Sequence, residues 1–193
     1  MKVLNTSDQV QAIFMEAGAI MKGHFSLTSG LHSDSYWEKF QVLQWPKHTQ
    51  RLCAMISDHF RDSGIEVVAS PTTGGIIIGY EVARALGVRS IFAERSEAGR
   101  SFRRGFDIRP GERVLIVDDI LTTGGSVRDV IDEVRRKQGN IVAVSVLVDR
   151  SEGKVDLGLP LFPLLRVNVP AYKPEECPLC KQGIPVGKPG GGA

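Results

Sequence analysis

Val114-Leu-Ile-Val-Asp-Asp-Ile-Leu-Thr-Thr-Gly-Gly-Ser126 joins an apolar, β-branched run to two carboxylates and then to a loop of hydroxyls and glycines. Val114 to Val117 has the unbroken hydrophobicity of a strand buried on both faces, and Gly125 to Gln138 has a helical repeat with apolar positions at Val127, Val130, Ile131 and Val134. The loop between them therefore stands at the carboxyl end of a strand, where open α/β sheets bind ligands. The helix start beyond it offers unpaired N–H groups to an anion. Thr122, Thr123 and Ser126 add hydroxyl donors, and Gly124 and Gly125 let the backbone approach closely. Asp118 and Asp119 can accept from the vicinal hydroxyls of a sugar. The whole run from Asp118 through Ile120 and Leu121 to Ser126 is thus a candidate cradle for a sugar phosphate. Neither G-x-x-x-x-G-K-[ST] nor G-x-G-x-x-G occurs in the chain.

Working outward, Ile65 to Ser70 is another core strand, followed by the tight loop Pro71-Thr72-Thr73-Gly74-Gly75 and a helix from Ile76 to Leu86 closed by Gly87. That loop offers N–H donors to a second anionic group. Val88 to Ala93 and Ile141 to Val148 supply two further strands, and a short one is expected around Leu164 to Val169. Strands alternating with helices predict an α/β fold, with a mostly parallel sheet covered by helices on both faces. Before this core, Ser7 is the expected cap of a helix carrying Val10, Ile13, Phe14, Ala17 and Met21 on one face. Gly23 to Gln41 has the pattern of a hairpin with a long turn, and Pro46 opens a helix that Gly64 ends. Residues 1–45 with part of 151–186 form a small hood on one 193-residue domain, and the tail 187–193 is expected to be disordered.

Glu94 to Arg113 has no clear periodicity and holds six arginines, at 95, 100, 103, 104, 109 and 113. Its middle is expected to be a mobile basic lid whose Arg95, Arg100, Arg103 and Arg104 neutralise a departing anion.

The net charge of +2 gives no electrostatic case for nucleic acid or a membrane surface as partner. No apolar run approaches the roughly 20 residues of a membrane span, the first residues lack a secretory pattern, and three cysteines make no disulfide framework. A cytoplasmic protein is expected. Cys177-Pro-Leu-Cys180 is half of a zinc site by spacing. No second Cys-x-x-Cys or neighbouring histidine pair completes it in the sequence, and His24, His32, His48 and His59 show no metal-ligand spacing, so no bound metal is expected from the protein's own ligands.

The Val114–Ser126 run resembles the signature of the phosphoribosyltransferases, enzymes that use 5-phosphoribosyl 1-diphosphate. Phe25-Ser-Leu-Thr-Ser-Gly-Leu-His-Ser-Asp-Ser-Tyr36 and the pair Asp149-Arg150 are similar to motifs of the orotate phosphoribosyltransferases. The resemblance implies the type I phosphoribosyltransferase fold, Mg²⁺, a homodimer with the active-site loop shared between subunits, and the small-molecule substrates orotate and 5-phosphoribosyl 1-diphosphate. It implies that Arg150, Thr122, Ser29 and Gly30 contact orotate, and that Thr72, Thr73, Gly74, Gly75 and residues 118–126 bind 5-phosphoribosyl 1-diphosphate, with Asp118, Asp119 and the loop arginines catalytic. The chain departs from the family at Thr28, where many members have a lysine, which leaves Lys39 as the candidate for that contact. It departs again in the basic loop, where arginines stand for the family's lysines and histidine. Transfer to a purine or to uracil, and a non-catalytic regulator on the same fold that senses 5-phosphoribosyl 1-diphosphate and binds nucleic acid, are the alternatives.

Overall fold

In a computed structural model of the chain, residues 5–27, 30–97 and 99–187 are described. Three of its strands have near-continuous burial because both of their faces are covered. These are β3 (Val67–Pro71), β6 (Arg113–Leu121) and β7 (Asn140–Asp149). With β4 (Arg89–Ser96), β5 (Gly99–Phe102) and β8 (Leu161–Arg166) they form a six-stranded sheet of order β5-β4-β3-β6-β7-β8. Every pairing in it is parallel except β4 with β5.

Alternation along the strands divides the core in two. Val68, Leu115 and Val117 face a cluster built on α1 (Thr6–Glu16), α2 (Lys39–Leu43), α3 (Pro46–Phe60) and α4 (Gly74–Leu86). Val67, Ala69, Val114 and Ile116 face α5 (Gly125–Arg136) through Val127, Val130, Ile131 and Val134. Helices thus cover both faces. A smaller sheet of order β1-β2-β9 stands apart, made of the antiparallel hairpin β1 (Ile20–Ser26) and β2 (His32–Trp37) with β9 (Ala171–Tyr172) on its edge. The last helix, α6 (Pro178–Lys181), follows it.

Several expectations change. Asn5, not Ser7, caps α1: it sits in extended backbone and its side chain accepts the Asp8 N–H at 2.9 Å, whereas Ser7 is already helical. The helix stops at Glu16, so Met21 lies on β1. Gly87 does close α4 in the left-handed conformation, but α4 begins two residues earlier than expected, at Gly74.

The largest correction concerns Glu94 to Arg113, whose first part is a strand pair, with irregular backbone from Arg103 to Glu112. Strand β4 runs on to Ser96 and β5 returns antiparallel to it, while Ile108 is buried against α5's side of the sheet. Glu133 on α5 fastens the hairpin, since its buried carboxylate accepts the Phe102 N–H at 3.1 Å. Gly187, expected to be disordered, accepts from Ser26 N–H at 2.9 Å and donates to the His24 carbonyl at 2.7 Å. Residues 188–193, Thr28 and the proposed base contact Ser29 lie outside the described residues.

Glu133→Ala leaves a buried amide without its acceptor, a loss of about 1–3 kcal/mol. The expected result is a lower denaturation midpoint with faster amide exchange over residues 99–102, and a smaller effect for Glu133→Gln, which keeps an acceptor oxygen. Unchanged exchange in β5 after Glu133→Ala would show that the hairpin is held by other contacts.

Candidate active site

The chain passes from β3 through α4 to β4 on one side of β3, and then returns to place β6 on the other side. At such a reversal the loops after the two neighbouring strands diverge and leave a crevice at their carboxyl ends. Here those loops are residues 71–75 after β3 and 118–126 around the end of β6.

They meet at atomic contact. A Cβ on Gly74 would stand 1.9 Å from Asp119 Oδ2, and one on Gly75 would stand 3.3 Å from Asp118 Oδ1 and 3.1 Å from Pro71 Cδ. Only glycine lets the first turn of α4 sit against this carboxylate pair. The N-terminal N–H groups of α4 also favour the negative charge there. Lys39, at the start of α2, reaches Asp119 at 2.8 Å and 3.0 Å. Its ammonium is engaged with the acid pair. Asp119 Oδ1 also accepts the Ile120 N–H at 2.6 Å, and Asp118 Oδ1 accepts the Asp119 N–H at 2.8 Å.

Both acids are nearly inaccessible, and the consequence differs between them. Burial first, and then the charge of Asp119, hold the Asp118 carboxyl above the usual carboxylate range. A positive group arriving beside it restores the ionised form.

Thr122, Thr123, Gly125 and Ser126 are exposed and line a concavity with Asp118 at the start of α5. The first-turn N–H groups of α5 have no intrahelical partners and point to this loop. Gly124 takes a φ of 80°. Arg128, which the sequence did not single out, braces the loop by donating to the Thr123 carbonyl at 2.7 Å and the Asp156 carbonyl at 3.1 Å. Leu121 is different from its neighbours: its side chain is buried in the core, and only its carbonyl takes part, accepting the Arg150 N–H at 2.8 Å. Ile120 is half-buried and packs against the first core cluster.

The arginines separate into distinct groups. Arg100 is buried, donating to Thr72 Oγ1 at 2.9 Å and the Ala93 carbonyl at 3.2 Å. It ties β5 to the 71–75 loop and is no freely moving lid residue. Arg104 pairs with Glu94 at 2.8 Å, while Arg95 and Arg103 are exposed. Arg109 and Arg89 share the buried Glu112, and Arg113 donates to the carbonyls of Ser63 and Gly64.

Arg150 follows the end of β7. Asp149 shapes the turn there, accepting the Ser151 N–H at 2.8 Å with its other oxygen 3.5 Å from Arg166. The Arg150 guanidinium is half-buried, and its Nε has no hydrogen-bond partner among the described residues. Burial lowers its pKa, opposed by the neighbouring Tyr36 of β2, whose own pKa burial raises. Within the hood hairpin Tyr36 packs on Phe25 of β1, the ring centroids 6.0 Å apart and the planes tilted by 50°. Gly30, in the β1–β2 turn, is exposed with a φ of 79°.

Residues 40–158 match the family described as Phosphoribosyl transferase domain. The chain is 54% identical over 185 residues to an orotate phosphoribosyltransferase of Pelotomaculum thermopropionicum, covering 96% of this chain and 97% of that one. It is 50% identical over 185 residues to an orotate phosphoribosyltransferase of Chlorobaculum parvum, covering 96% of each. The orotate phosphoribosyltransferase of Aeropyrum pernix has the same fold, with a TM-score of 0.70 at 24% identity over 82% of this chain and 93% of that one. A domain match over most of the chain and near-full-length relatives at 50–54% identity agree with the crevice geometry: the chain belongs to the orotate phosphoribosyltransferase family, on the type I phosphoribosyltransferase fold.

Proposed function

We propose that the protein transfers ribose 5-phosphate from 5-phosphoribosyl 1-diphosphate to orotate, giving orotidine 5′-monophosphate and diphosphate. The observation that carries this reading is the meeting of Gly74 with Asp119, which brings two anion-binding loops to either side of one carboxylate pair. A sugar with a phosphate at one end and a diphosphate at the other has that distribution of charge. The 5′-phosphate goes to Thr122–Ser126 and the diphosphate to Thr72–Gly75, and Asp118 and Asp119 take the ribose hydroxyls.

In the reaction the bond from C1′ to the diphosphate oxygen breaks with its electron pair leaving on diphosphate, and a ring nitrogen of anionic orotate bonds to C1′. The ribose ring gains positive charge on the way. Asp118, held partly protonated in the free protein by burial, is ionised more readily as that charge grows, so its stabilisation is greater in the transition state than before it. Orotate carries a carboxylate and flat hydrogen-bonding edges that suit a guanidinium fork, and the unpartnered Arg150 Nε supports that role. Arg95 and Arg103, both exposed, are the arginines free to reach the diphosphate, with Arg104 available if it leaves Glu94. Arg100 positions Thr72.

The donor set fits Mg²⁺. Carboxylate and hydroxyl oxygens are the ligands a hard cation takes, and with Asp119 committed to Lys39 the protein offers too few oxygens for a cage of its own. Asp118 and Thr72 would help hold an ion carried mainly by substrate oxygens, where it neutralises diphosphate charge. A homodimer with shared loops agrees with the exposed apolar pair Ile77 and Tyr80 on one face of α4. No helix among the described residues is long and apolar enough to cross a membrane. Three free cysteines accord with a cytoplasmic setting.

The decisive assay incubates the protein with Mg²⁺, 5-phosphoribosyl 1-diphosphate and, separately, orotate, uracil, adenine, guanine and xanthine. Diphosphate release with orotate is expected, and turnover only with another base would refute the proposal. Arg150→Ala is expected to raise the orotate KM tenfold to a hundredfold, a charged hydrogen bond being worth about 1.5–3 kcal/mol, with 5-phosphoribosyl 1-diphosphate binding little changed. Arg150→Lys should recover only part of the loss. Equal losses for both substrates would place Arg150 in the fold instead.

For Asp118 the pH signs of stability and activity oppose each other. Its folded pKa lies above the unfolded value of about 3.9, so its contribution to stability is present below that value and is lost as pH rises through the folded one. Asp118→Asn should therefore gain in Tm over the parent between pH 5 and pH 8 while losing activity. A Tm difference independent of pH would show that Asp118 is not held up by burial.

Loop sharing is tested by mixing an Asp118→Asn/Asp119→Asn chain with an Arg95→Ala/Arg103→Ala/Arg104→Ala chain. Crossing loops put both lesions in one site and restore about half of the parental activity per heterodimer. Loops that serve their own subunit restore almost none.

A further inference from the structure

His24 on β1 and His32 on β2 face each other across the hood hairpin with Nε2 and Nδ1 3.0 Å apart. The C-terminal segment brings two thiols to the same point. Cys180 Sγ lies 3.2 Å from His32 Nδ1 and 3.7 Å from His24 Nε2, and Cys177 Sγ lies 3.5 Å from His24 Nε2. All four candidate ligand atoms fall within 4.8 Å of one another. We propose that His24, His32, Cys177 and Cys180 form a tetrahedral Zn²⁺ site that clamps the C-terminal segment to the N-terminal hairpin, distinct from the crevice at the sheet's end.

Ordinary hydrogen bonding does not account for the cluster. His24 Nδ1 is 2.7 Å from the Ile184 carbonyl, which can only accept, so Nδ1 carries the proton. In the neutral ring Nε2 is then left with a single lone pair, yet a ring nitrogen and two sulfurs crowd it. A cation resolves this, because every surrounding atom then points a lone pair inward. Bond lengths of about 2.3 Å to sulfur and 2.0–2.1 Å to nitrogen make tetrahedral edges of roughly 3.3 Å between nitrogens and roughly 3.6 Å between nitrogen and sulfur. The observed 3.0 Å and 3.2–3.7 Å are close to those edges.

The atoms behind the ligands agree too. A carbonyl that holds the far ring nitrogen of a ligating histidine is the usual device for orienting it, and Ile184 supplies that carbonyl for His24. Cys177, His24 and His32 are buried. Two thiolates balance the charge of Zn²⁺, so the loaded site is neutral, as a buried site needs to be. Binding releases the two thiol protons to solvent. Four protein ligands leave no open position, which makes the site structural. Mixed nitrogen and thiolate ligands in this geometry favour zinc over magnesium or calcium.

The backbone shows what the clamp would hold. Tyr172 pairs with His32 and Ala171 with Ser33, and Gly187 bonds to His24 and Ser26. Both histidines therefore sit on strands whose free edges the C-terminal segment covers.

The test uses the full chain, purified without chelator or polyhistidine tag and kept reduced. Elemental analysis is expected to give about one zinc per chain. Replacement by Co²⁺ should give the intense visible absorption of a tetrahedral thiolate site. Cys177→Ser/Cys180→Ser and, separately, His32→Ala should lose the metal, and Cys53→Ser should keep it. If the site variants do not fold, the parent alone decides: Cys53 is buried throughout, and stripping Zn²⁺ with a chelator should raise the number of thiols that a disulfide reagent reaches under native conditions, whereas no change would count against the site. Less than about a tenth of an equivalent of zinc, both as isolated and after incubation with Zn²⁺ and reductant, would overturn the proposal. So would metal retained in both site variants. Stripping the zinc should speed amide exchange over residues 20–37 and 171–187 and leave 122–126 unchanged; an even rise along the whole chain would contradict the clamp.

Discussion

The absence of a side chain at Gly74 is the constraint on which the crevice depends. Any Cβ there would overlap the Asp119 carboxylate, and relief would require either that carboxylate to rotate out of its contacts with Lys39 and the Ile120 N–H or a separation of the start of α4 from the end of β6. Both are fixed from behind, α4 by Ile78, Val82 and Ala83 in one core cluster and β6 by its pairing on both sides. A close-packed interior transmits such a displacement rather than absorbing it. The distance between the two anion-binding loops is therefore set by the sheet and its helices, and the loops inherit that rigidity.

A second arrangement follows from the first. With Asp119 against a helix N-terminus and held by Lys39, one member of the pair has a cationic partner while the other is held back by burial. The negative charge is kept available without placing two unscreened anions side by side in the interior. Lys39 thus links α2, and through it the first helical layer, to the carboxylates at the strand end. Arg100 does the corresponding work on the other loop, carrying Thr72 from the edge hairpin.

How much of this was legible in the sequence depends on the range of the interaction. The parallel strands were visible because burial on both faces leaves continuous apolar runs, as in Val114–Val117 and Ile141–Val148, and the strand-end loops followed from those runs. The β4–β5 hairpin was hidden because it is an edge with one charged face, and its arginines have the look of a solvated loop until Thr72 is placed beside Arg100 and Glu133 beside the Phe102 N–H. Helix α2 is five residues long, too short to show a period. Asn5 lost to Ser7 by a boundary shift of two residues. The His24, His32, Cys177 and Cys180 cluster joins the two ends of the chain, and no window of sequence contains it.

The pairing of β9 with β2 has a consequence for how the protein is made. The hairpin carrying Tyr36 leaves the ribosome long before the strand that completes its sheet, because most of the six-stranded sheet lies between them in the chain. At translation rates of 5–20 residues per second that wait is on the order of ten seconds. During it the hairpin has an open edge and His24 and His32 lack their sulfur neighbours. The nascent chain can assemble β3, β4, β6 and β7, and with them the phosphate loops, before β9 completes the sheet that carries Tyr36. Maturation of the pocket is in that sense a late step of folding, completed only when residues 171–187 emerge and fold back over β1 and β2.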